Sequence, residues 1–233
     1  MKLTSTISLL HHPKYILVYG PSGLGKTTLA KTVPNKKRVL MLDAERGTGS
    51  LNGEDISCVV LSRGDDGRLL NDTERFDKLQ EFVTYVQTDE CKAQFDILFL
   101  DSLTEIGEIV LKHFQSKMDG FKMWGEFKDS IKGLLKFFRD LDHYTIICTA
   151  LETREKEDGE ELGPYLPKVG NKTVREELPQ FFDLVTRLVL DAEGNRRLLC
   201  KPTAKSYAKD RYGHLGLTEE PNLALLMQKT KQE

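Results

Sequence analysis

The chain of 233 residues is 30% charged and has a formal net charge of −2 at pH 7, a balance that neither demands nor excludes a nucleic-acid partner. No stretch approaches the run of about eighteen apolar residues that a membrane-spanning helix needs. Four widely spaced cysteines without a Cys-x-x-Cys pair argue against a zinc site and a disulfide framework: Cys58, Cys91, Cys148 and Cys200. We therefore expect a cytoplasmic protein with no membrane partner.

The first predicted elements surround a glycine-rich segment. The apolar run 15–19 predicts a strand, and the P-loop pattern Gly-x-x-x-x-Gly-Lys-Ser/Thr follows it, before a helix-compatible run at 29–33. Glycines let the backbone curl so that several N–H groups point at one set of phosphate oxygens. Lys26 would reach the β- and γ-phosphates, and the Thr27 hydroxyl would hold Mg²⁺. The predicted nucleotide-binding residues are Gly20, Pro21, Ser22, Gly23, Leu24, Gly25, Lys26, Thr27 and Thr28.

Strands and helices alternate after the P-loop. Continuous apolar runs predict further strands, at 38–43, 57–61, 95–102 and 144–148. Apolar residues at helical spacing predict helices, at 72–87, 103–117 and 124–141. Strands that are apolar throughout are typical of a parallel sheet covered on both faces. We predict a single α/β domain over 1–233, with a mostly parallel sheet flanked by helices.

The last third of the chain has a different pattern. Residues 152–170 are rich in charge, glycine and proline, and we expect a mobile loop there at the ligand-binding face. Two strand-like runs, 184–191 and 196–201, predict a C-terminal β-hairpin. The stretch 221–228 predicts a final helix with Pro221 in its first turn.

Two carboxylates follow predicted strands at the edge where the P-loop lies. Asp101 ends an apolar run, the position at which P-loop enzymes place an aspartate that holds Mg²⁺ or a magnesium-bound water. Hydrolysis also needs a general base or a residue that positions water. Many P-loop enzymes place a catalytic glutamate directly after this aspartate, but Ser102 occupies that position here. We therefore assign the catalytic role to Glu45, just past the strand 38–43. A solvated loop glutamate is the alternative.

The P-loop, Leu-Asp-Ala-Glu at 42–45 and Leu-Asp-Ser at 100–102 together resemble the RecA-type ATPase core, within the AAA superfamily of nucleotide-binding proteins. Overall size and order resemble the short phage-encoded RecA-like ATPases associated with single-strand annealing and recombination. The resemblance implies bound ATP and Mg²⁺, and slow ATP hydrolysis that single-stranded DNA stimulates and Glu45 catalyses. It also implies a homo-oligomer, ring or filament, with active sites shared between subunits. Its partner would be a recombination or single-strand-binding protein, in the cytoplasm of an infected bacterial host.

The resemblance extends to basic residues near the end of the chain. The segment 207–213 is similar to the Lys-x-Arg element by which hexameric RecA-fold helicases and KaiC-like ATPases reach the γ-phosphate of a neighbouring subunit. By this similarity Lys209 and Arg211 would be catalytic fingers in trans, and the alternative is a basic strand end exposed to water. A DNA contact would use cations of 196–211 and those after the Gly/Pro loop, with Tyr165 stacking on a base.

Other functions that share the P-loop stay open. A small-molecule or nucleotide kinase usually has an arginine-rich lid, whereas this chain is acidic at 152–161. A GTPase would need Asn-Lys-x-Asp, and the sequence at 171–174 lacks the aspartate. A nucleotide-bound interaction protein without DNA activity is the open alternative beside the kinase. Leu151 is apolar where RecA-like proteins often have a polar residue that senses the γ-phosphate, and Thr149 or Glu152 would substitute for it.

Overall fold

The computed structural model describes residues 14–157 and 160–231. Ten strands occur in these residues: β1 (Tyr15–Gly20), β2 (Val39–Asp43), β3 (Ser57–Val60), β4 (Ile97–Asp101), β5 (Thr145–Glu157), β6 (Glu160–Pro167), β7 (Leu184–Leu190), β8 (Arg196–Leu199), β9 (Lys209–Asp210) and β10 (Thr218–Glu219). They form one sheet with the order β10-β8-β7-β1-β5-β4-β2-β3, and β6 pairs with β5 while β9 pairs with β7.

The same described residues contain six α-helices: α1 (Asp72–Tyr85), α2 (Asp89–Gln94), α3 (Leu103–Gln115), α4 (Gly120–Arg139), α5 (Lys172–Glu177) and α6 (Leu223–Lys229). They also contain four short 3₁₀ helices: Thr27–Thr32, Lys36–Arg38, Thr48–Leu51 and Leu178–Phe181. Across this described part of the chain, no helix combines the length and apolar character needed to cross a membrane. The helices predicted at 72–87, 103–117 and 124–141 are confirmed as α1, α3 and α4.

The centre of the sheet is parallel. Strand β1 pairs in parallel with β5 and β7, and β4 pairs in parallel with β2 and β5. Antiparallel pairing joins β7 to β8, β8 to β10 and β5 to β6. Every residue of β1, β2 and β4 is buried, because other elements cover both faces of these strands. The predicted mostly parallel α/β sheet flanked by helices is confirmed.

Alternate side chains of β1 enter two hydrophobic cores. Tyr15, Leu17 and Tyr19 contribute to the core that α1, α3 and α4 cover. Ile16 and Val18 belong to the core that contains the 3₁₀ helix Thr27–Thr32 and α6. This second core anchors the helix that follows the P-loop against the sheet, so that the loop is held at the carboxyl end of β1.

The prediction that residues 152–170 form an irregular loop is wrong, because most of this segment is a β-hairpin. The predicted mobility of the segment stays a prediction. Strand β5 continues past Ala150 to Glu157, and β6 returns antiparallel to it. Residues 158 and 159 lie outside the described residues. Leu151 is the last residue of β5 that pairs with β1. Beyond it the two strands satisfy each other's backbone groups and need no apolar side chains, so a pattern based on apolar runs misses them.

The end of the chain follows the prediction with one shift. Strands β7 and β8 form the predicted hairpin. Helix α6 begins at Leu223 and is capped by Asn222, whose side chain accepts a hydrogen bond from the Leu225 N–H. Pro221 therefore precedes the helix and does not lie in its first turn.

Candidate functional site

Three separate parts of the chain meet at the carboxyl edge of the parallel strands. The P-loop begins at Gly20, the last residue of β1, and Asp43 and Asp101 are register partners at the ends of β2 and β4. Glu45 lies two residues beyond Asp43. Ligands of open parallel sheets bind at this edge. The structure therefore brings the P-loop, Glu45 and Asp101 to one place.

Glycines give the P-loop its path. Gly23 and Gly25 have φ angles of 79° and 89°, in the left-handed region that favours glycine. A Cβ atom on Gly20 would lie 2.7 Å from the carbonyl oxygen of Leu188 in β7, so a side chain there would collide with the neighbouring strand. Gly23 and Gly25 let the loop turn sharply after β1. Gly20 allows the end of β1 to lie close to β7.

Lys26 is buried beneath the P-loop, with 7% of its surface exposed. Its ammonium group donates hydrogen bonds to the carbonyl oxygens of Gly20 (3.1 Å) and Pro21 (2.7 Å). Burial lowers the pKa of Lys26, and the nearby carboxylates of Glu45 and Asp101 oppose that shift. Lys26 is thus a buried cation close to both predicted carboxylates.

Asp101 joins the P-loop to β5. Its carboxylate is 1% exposed and accepts hydrogen bonds from the hydroxyl groups of Thr27, at 2.7 Å, and Thr149. Burial raises the pKa of Asp101, and the two hydrogen bonds oppose this effect. A Cβ atom on Gly47 would lie 3.1 Å from Thr27 Oγ1 and 3.2 Å from Asp101 Oδ2, so the absence of a side chain there leaves room beside the pair.

The donor atoms of Thr27 and Asp101 suit Mg²⁺, a hard cation that takes oxygen ligands. In residues 14–157 and 160–231, no group of three or more His, Cys, Asp or Glu side chains is arranged to hold a metal ion. Mg²⁺ does not require one, because proteins usually bind it through one or two carboxylates together with substrate phosphates. Thr27 and Asp101 would hold the ion, which when bound neutralises charge on phosphate oxygens.

Asp43 is a site residue to which the sequence assigned no role, although it belongs to the Leu-Asp-Ala-Glu motif at 42–45. It is fully buried, and its Oδ1 atom accepts a hydrogen bond from the Gly47 N–H at 3.1 Å. Its Oδ2 atom has no hydrogen-bond partner among the described residues. Asp43 therefore holds the segment around Gly47 beside Thr27 and Asp101. The sequence could have indicated Asp43, because it ends the apolar strand β2 just as Asp101 ends β4.

Glu45 is exposed and borders a cleft beside the P-loop. The buried Ser102 hydroxyl donates a hydrogen bond to its carboxylate. The cleft has a volume of about 530 Å³, and its wall includes Ser22 of the P-loop together with Arg75. A carboxylate that is held by one hydrogen bond and open to water has the properties that a general base needs.

Glu152, a candidate for sensing the γ-phosphate, is paired with Arg187 of β7. The Arg187 Nε atom donates to the Glu152 carboxylate at 2.8 Å, and the two side chains are only 14% and 15% exposed. The Arg187 guanidinium also lies over the ring of Tyr165, 3.8 Å from its centroid. The tyrosine predicted to stack on a base therefore already packs against an arginine.

Lys209 and Arg211 lie toward the amino ends of the parallel strands, whereas the P-loop lies at their carboxyl ends. Lys209 donates to the carbonyl oxygens of Pro179 (3.2 Å) and Phe182 (2.7 Å), and Arg211 pairs with Asp183 at 2.7 Å. The Asp183 carboxylate also accepts hydrogen bonds from the first backbone N–H groups of β1. The P-loop leaves the other end of that strand. Within one chain, the structure therefore does not bring Lys209 and Arg211 to the site.

Comparison with protein families matches residues 12–212 to the family described as "AAA domain". No curated protein matches the chain. Among solved structures, the chain is similar to an ATPase from the type III secretion system of pathogenic bacteria, with 17% sequence identity and a TM-score of 0.48. The match covers 80% of this chain and 58% of that ATPase, so the chain spans less than two thirds of its length.

Proposed function

Because this chain belongs to the AAA-domain family, as a nucleotide-binding P-loop ATPase domain, we propose that it binds Mg·ATP and hydrolyses it to ADP and phosphate. The observation that carries the proposal is the hydrogen bond of 2.7 Å between Thr27 Oγ1 and Asp101 Oδ2. It joins the two side chains that would hold Mg²⁺, one from the P-loop and one from the end of β4.

The other groups that hydrolysis needs, a cation and a general base, lie at the same carboxyl ends of the parallel strands. Lys26 places a cation against the loop that would receive the β- and γ-phosphates. Glu45 would accept a proton from the attacking water, with Ser102 fixing its carboxylate. Water can reach Glu45 because its side chain borders the open cleft. Each of these groups acts on phosphate or water, so hydrolysis is the reaction that they support best.

Substitution of Lys26 by Ala tests nucleotide binding and turnover together. We expect Lys26→Ala to abolish ATP binding or phosphate release, whereas the control Lys31→Ala, in the 3₁₀ helix after the P-loop, keeps both. The assay measures ADP and inorganic phosphate with Mg²⁺ and after chelation by EDTA. Full turnover in Lys26→Ala would contradict the proposal, and transfer of phosphate to a nucleoside rather than water would favour the kinase alternative.

We extend the proposal to single-stranded DNA in phage recombination, annealing or replication, on the resemblance to the short RecA-like ATPases. Lys168 and Lys205 support it, because both are exposed and flank the end of β6, where the Lys205 carbonyl accepts a hydrogen bond from the Tyr165 N–H. Two exposed cations near the nucleotide edge could contact the DNA backbone.

The ATPase rate with and without single-stranded DNA, at two salt concentrations, tests this extension. We expect stimulation that fades as salt rises, and the double variant Lys168→Glu/Lys205→Glu should lose it while its basal rate is kept. An unchanged rate with DNA at low salt would contradict a DNA-dependent function and leave ATP hydrolysis intact.

A further inference from the structure

The hairpin of β7 and β8 extends beyond the end of β1 and passes beside the P-loop. Tyr19, the penultimate residue of β1, is the register partner of Arg187, and β7 continues to Leu190 before the chain turns. Strand β8 then begins at Arg196, opposite Leu190. The turn of this hairpin is therefore on the same edge of the sheet as the nucleotide site. In the sheet order, it lies on the opposite side of β1 from β4, which ends at Asp101, and from β2, which Glu45 follows.

Arg196 reaches the P-loop from this hairpin. A Cβ atom built on Gly25 would lie 2.5 Å from Nη1 of Arg196 and 2.5 Å from the Thr28 hydroxyl oxygen. The guanidinium group therefore lies directly against the loop, at the start of the 3₁₀ helix that follows it. Any residue larger than glycine at position 25 would displace the arginine.

The packing of β8 fixes the direction in which Arg196 points. Two residues further on, Leu198 is fully buried in the core that contains Leu29 and Ala30 of the 3₁₀ helix. Because residues i and i+2 of a strand share a face, Arg196 projects on that same side. The intervening Arg197 donates instead to Asp191 at 3.0 Å. The two neighbouring arginines thus have different environments.

The charge of Arg196 is available to a ligand. Arg197 and Arg187 each pair with a carboxylate, whereas the exposed guanidinium of Arg196 makes no hydrogen bond or ion pair with the residues that the structure describes. Its five N–H donors match the oxygens of a phosphate group. The P-loop it touches is the segment whose backbone N–H groups cradle the α- and β-phosphates of a nucleotide.

We propose that Arg196 binds the α- or β-phosphate of the nucleotide in cis, from the β7–β8 hairpin, on the opposite side of the P-loop from Glu45. The inference rests on the proposed binding of ATP and adds a binding residue to it. Because ADP and ATP share these two phosphates, Arg196 contributes equally to binding of both. It lowers the KM for ATP without taking part in the transfer of the γ-phosphate.

Measurement of ADP and ATP affinities in Arg196→Ala tests the inference. We expect both dissociation constants to rise about 10-fold, with kcat within a factor of about two of the wild-type value. Arg197→Ala removes the same charge from the adjacent position and should leave both affinities unchanged. Arg196→Lys should recover part of the loss, since it restores the charge but not the planar set of donors. Equal melting temperatures of the nucleotide-free proteins show that the fold is kept.

The other outcomes separate this inference from the proposed function. Wild-type affinity in Arg196→Ala would overturn the inference alone, whereas a wild-type chain that binds no nucleotide would overturn the proposed function. A loss confined to ATP would place Arg196 at the γ-phosphate and contradict the proposal. Inorganic tripolyphosphate serves as a probe without a base. Its binding should weaken in Arg196→Ala, and unchanged binding would mean that the arginine contacts the base instead.

Discussion

Asp101 is the residue on which the proposed chemistry depends most. Its carboxylate is almost completely removed from water, which disfavours the ionised form that Mg²⁺ would need. The hydroxyl groups of Thr27 and Thr149 compensate by donating hydrogen bonds to it. The hydroxyl of Thr149, one of the two residues predicted to replace Leu151 as a γ-phosphate sensor, is thus directed to Asp101.

Substitution of Thr149 by Val should make the proposed ATPase more sensitive to acid. The variant keeps the shape of the side chain but removes a hydrogen bond that favours the charged form of Asp101, so the pKa of Asp101 rises further. The protonated carboxyl cannot hold Mg²⁺. In a plot of ATPase rate against pH, the fall in rate on the acidic side, its acidic limb, should therefore move to higher pH. Thr186→Val, also buried in a central strand, serves as the control. An acidic limb that stays in place, or moves to lower pH, would contradict this role.

Residue patterns predicted part of the site. The P-loop is contiguous, so its members could be named from sequence, and Asp101 and Glu45 each follow an apolar run. Ser102 and Arg196 could not be assigned to the site in the same way. Their contacts with Glu45 and Gly25 join residues far apart in sequence and depend on the order of the strands.

At the scale of elements, helix α1 begins with a reciprocal cap. The Asn71 side chain accepts a hydrogen bond from the Glu74 N–H, and the Glu74 carboxylate accepts one from the Asn71 N–H. Glu74 also pairs with Arg68 at 2.6 Å. The hydrogen bonds from Arg68 and from the Asn71 backbone lower the pKa of Glu74 from 4.5 to about 2.

Replacement of Glu74 by Gln should therefore lower stability in a pH-dependent manner. A depressed carboxyl pKa gives stability that is present above the ordinary value of 4.5 and is lost as the pH falls toward about 2. Urea unfolding should show a gap between wild type and Glu74→Gln at neutral pH that narrows over this interval. Glu81→Gln, exposed on the same helix, is the control. A gap that is constant with pH would refute the assignment.

Prediction of elements from sequence succeeded where the elements are buried. Strands β1, β2 and β4 and helices α1, α3 and α4 carry continuous or periodic apolar residues because they pack in the two cores. The distal half of β5 and β6 pair with each other beyond the core, where their stability comes from backbone hydrogen bonds. Helix α2 has only six residues, too few for a helical period to stand out.

At the scale of the whole molecule, the candidate site residues lie at two different ends of the parallel strands. This placement determines how subunits could share a site. The P-loop leaves the carboxyl edge of β1, whereas Lys209 and Arg211 lie at its amino edge. The trans role of these two residues stays a prediction, as does the single domain over 1–233. Sharing would require the amino edge of one subunit to face the P-loop of the next, a head-to-tail arrangement that generates rings or filaments.

Mixing two inactive variants tests this arrangement. Subunits with Arg211→Ala keep an intact P-loop, and subunits with Lys26→Ala keep the arginine. If sites are shared, the mixture should regain part of the ATPase activity that neither variant has alone, because Arg211 of one subunit serves the P-loop of another. Each variant at the same total concentration is the control. Activity equal to the average of the two controls at every ratio would exclude sharing.

The central claim is that this P-loop site hydrolyses ATP with Glu45 as its base, and the turnover of Glu45→Gln at saturating Mg·ATP tests it most directly. The amide keeps the size of the side chain but cannot accept the proton, so ATP should bind with wild-type affinity while kcat falls by about 10²-fold or more. Wild-type turnover in Glu45→Gln, with ATP bound, would contradict the claim.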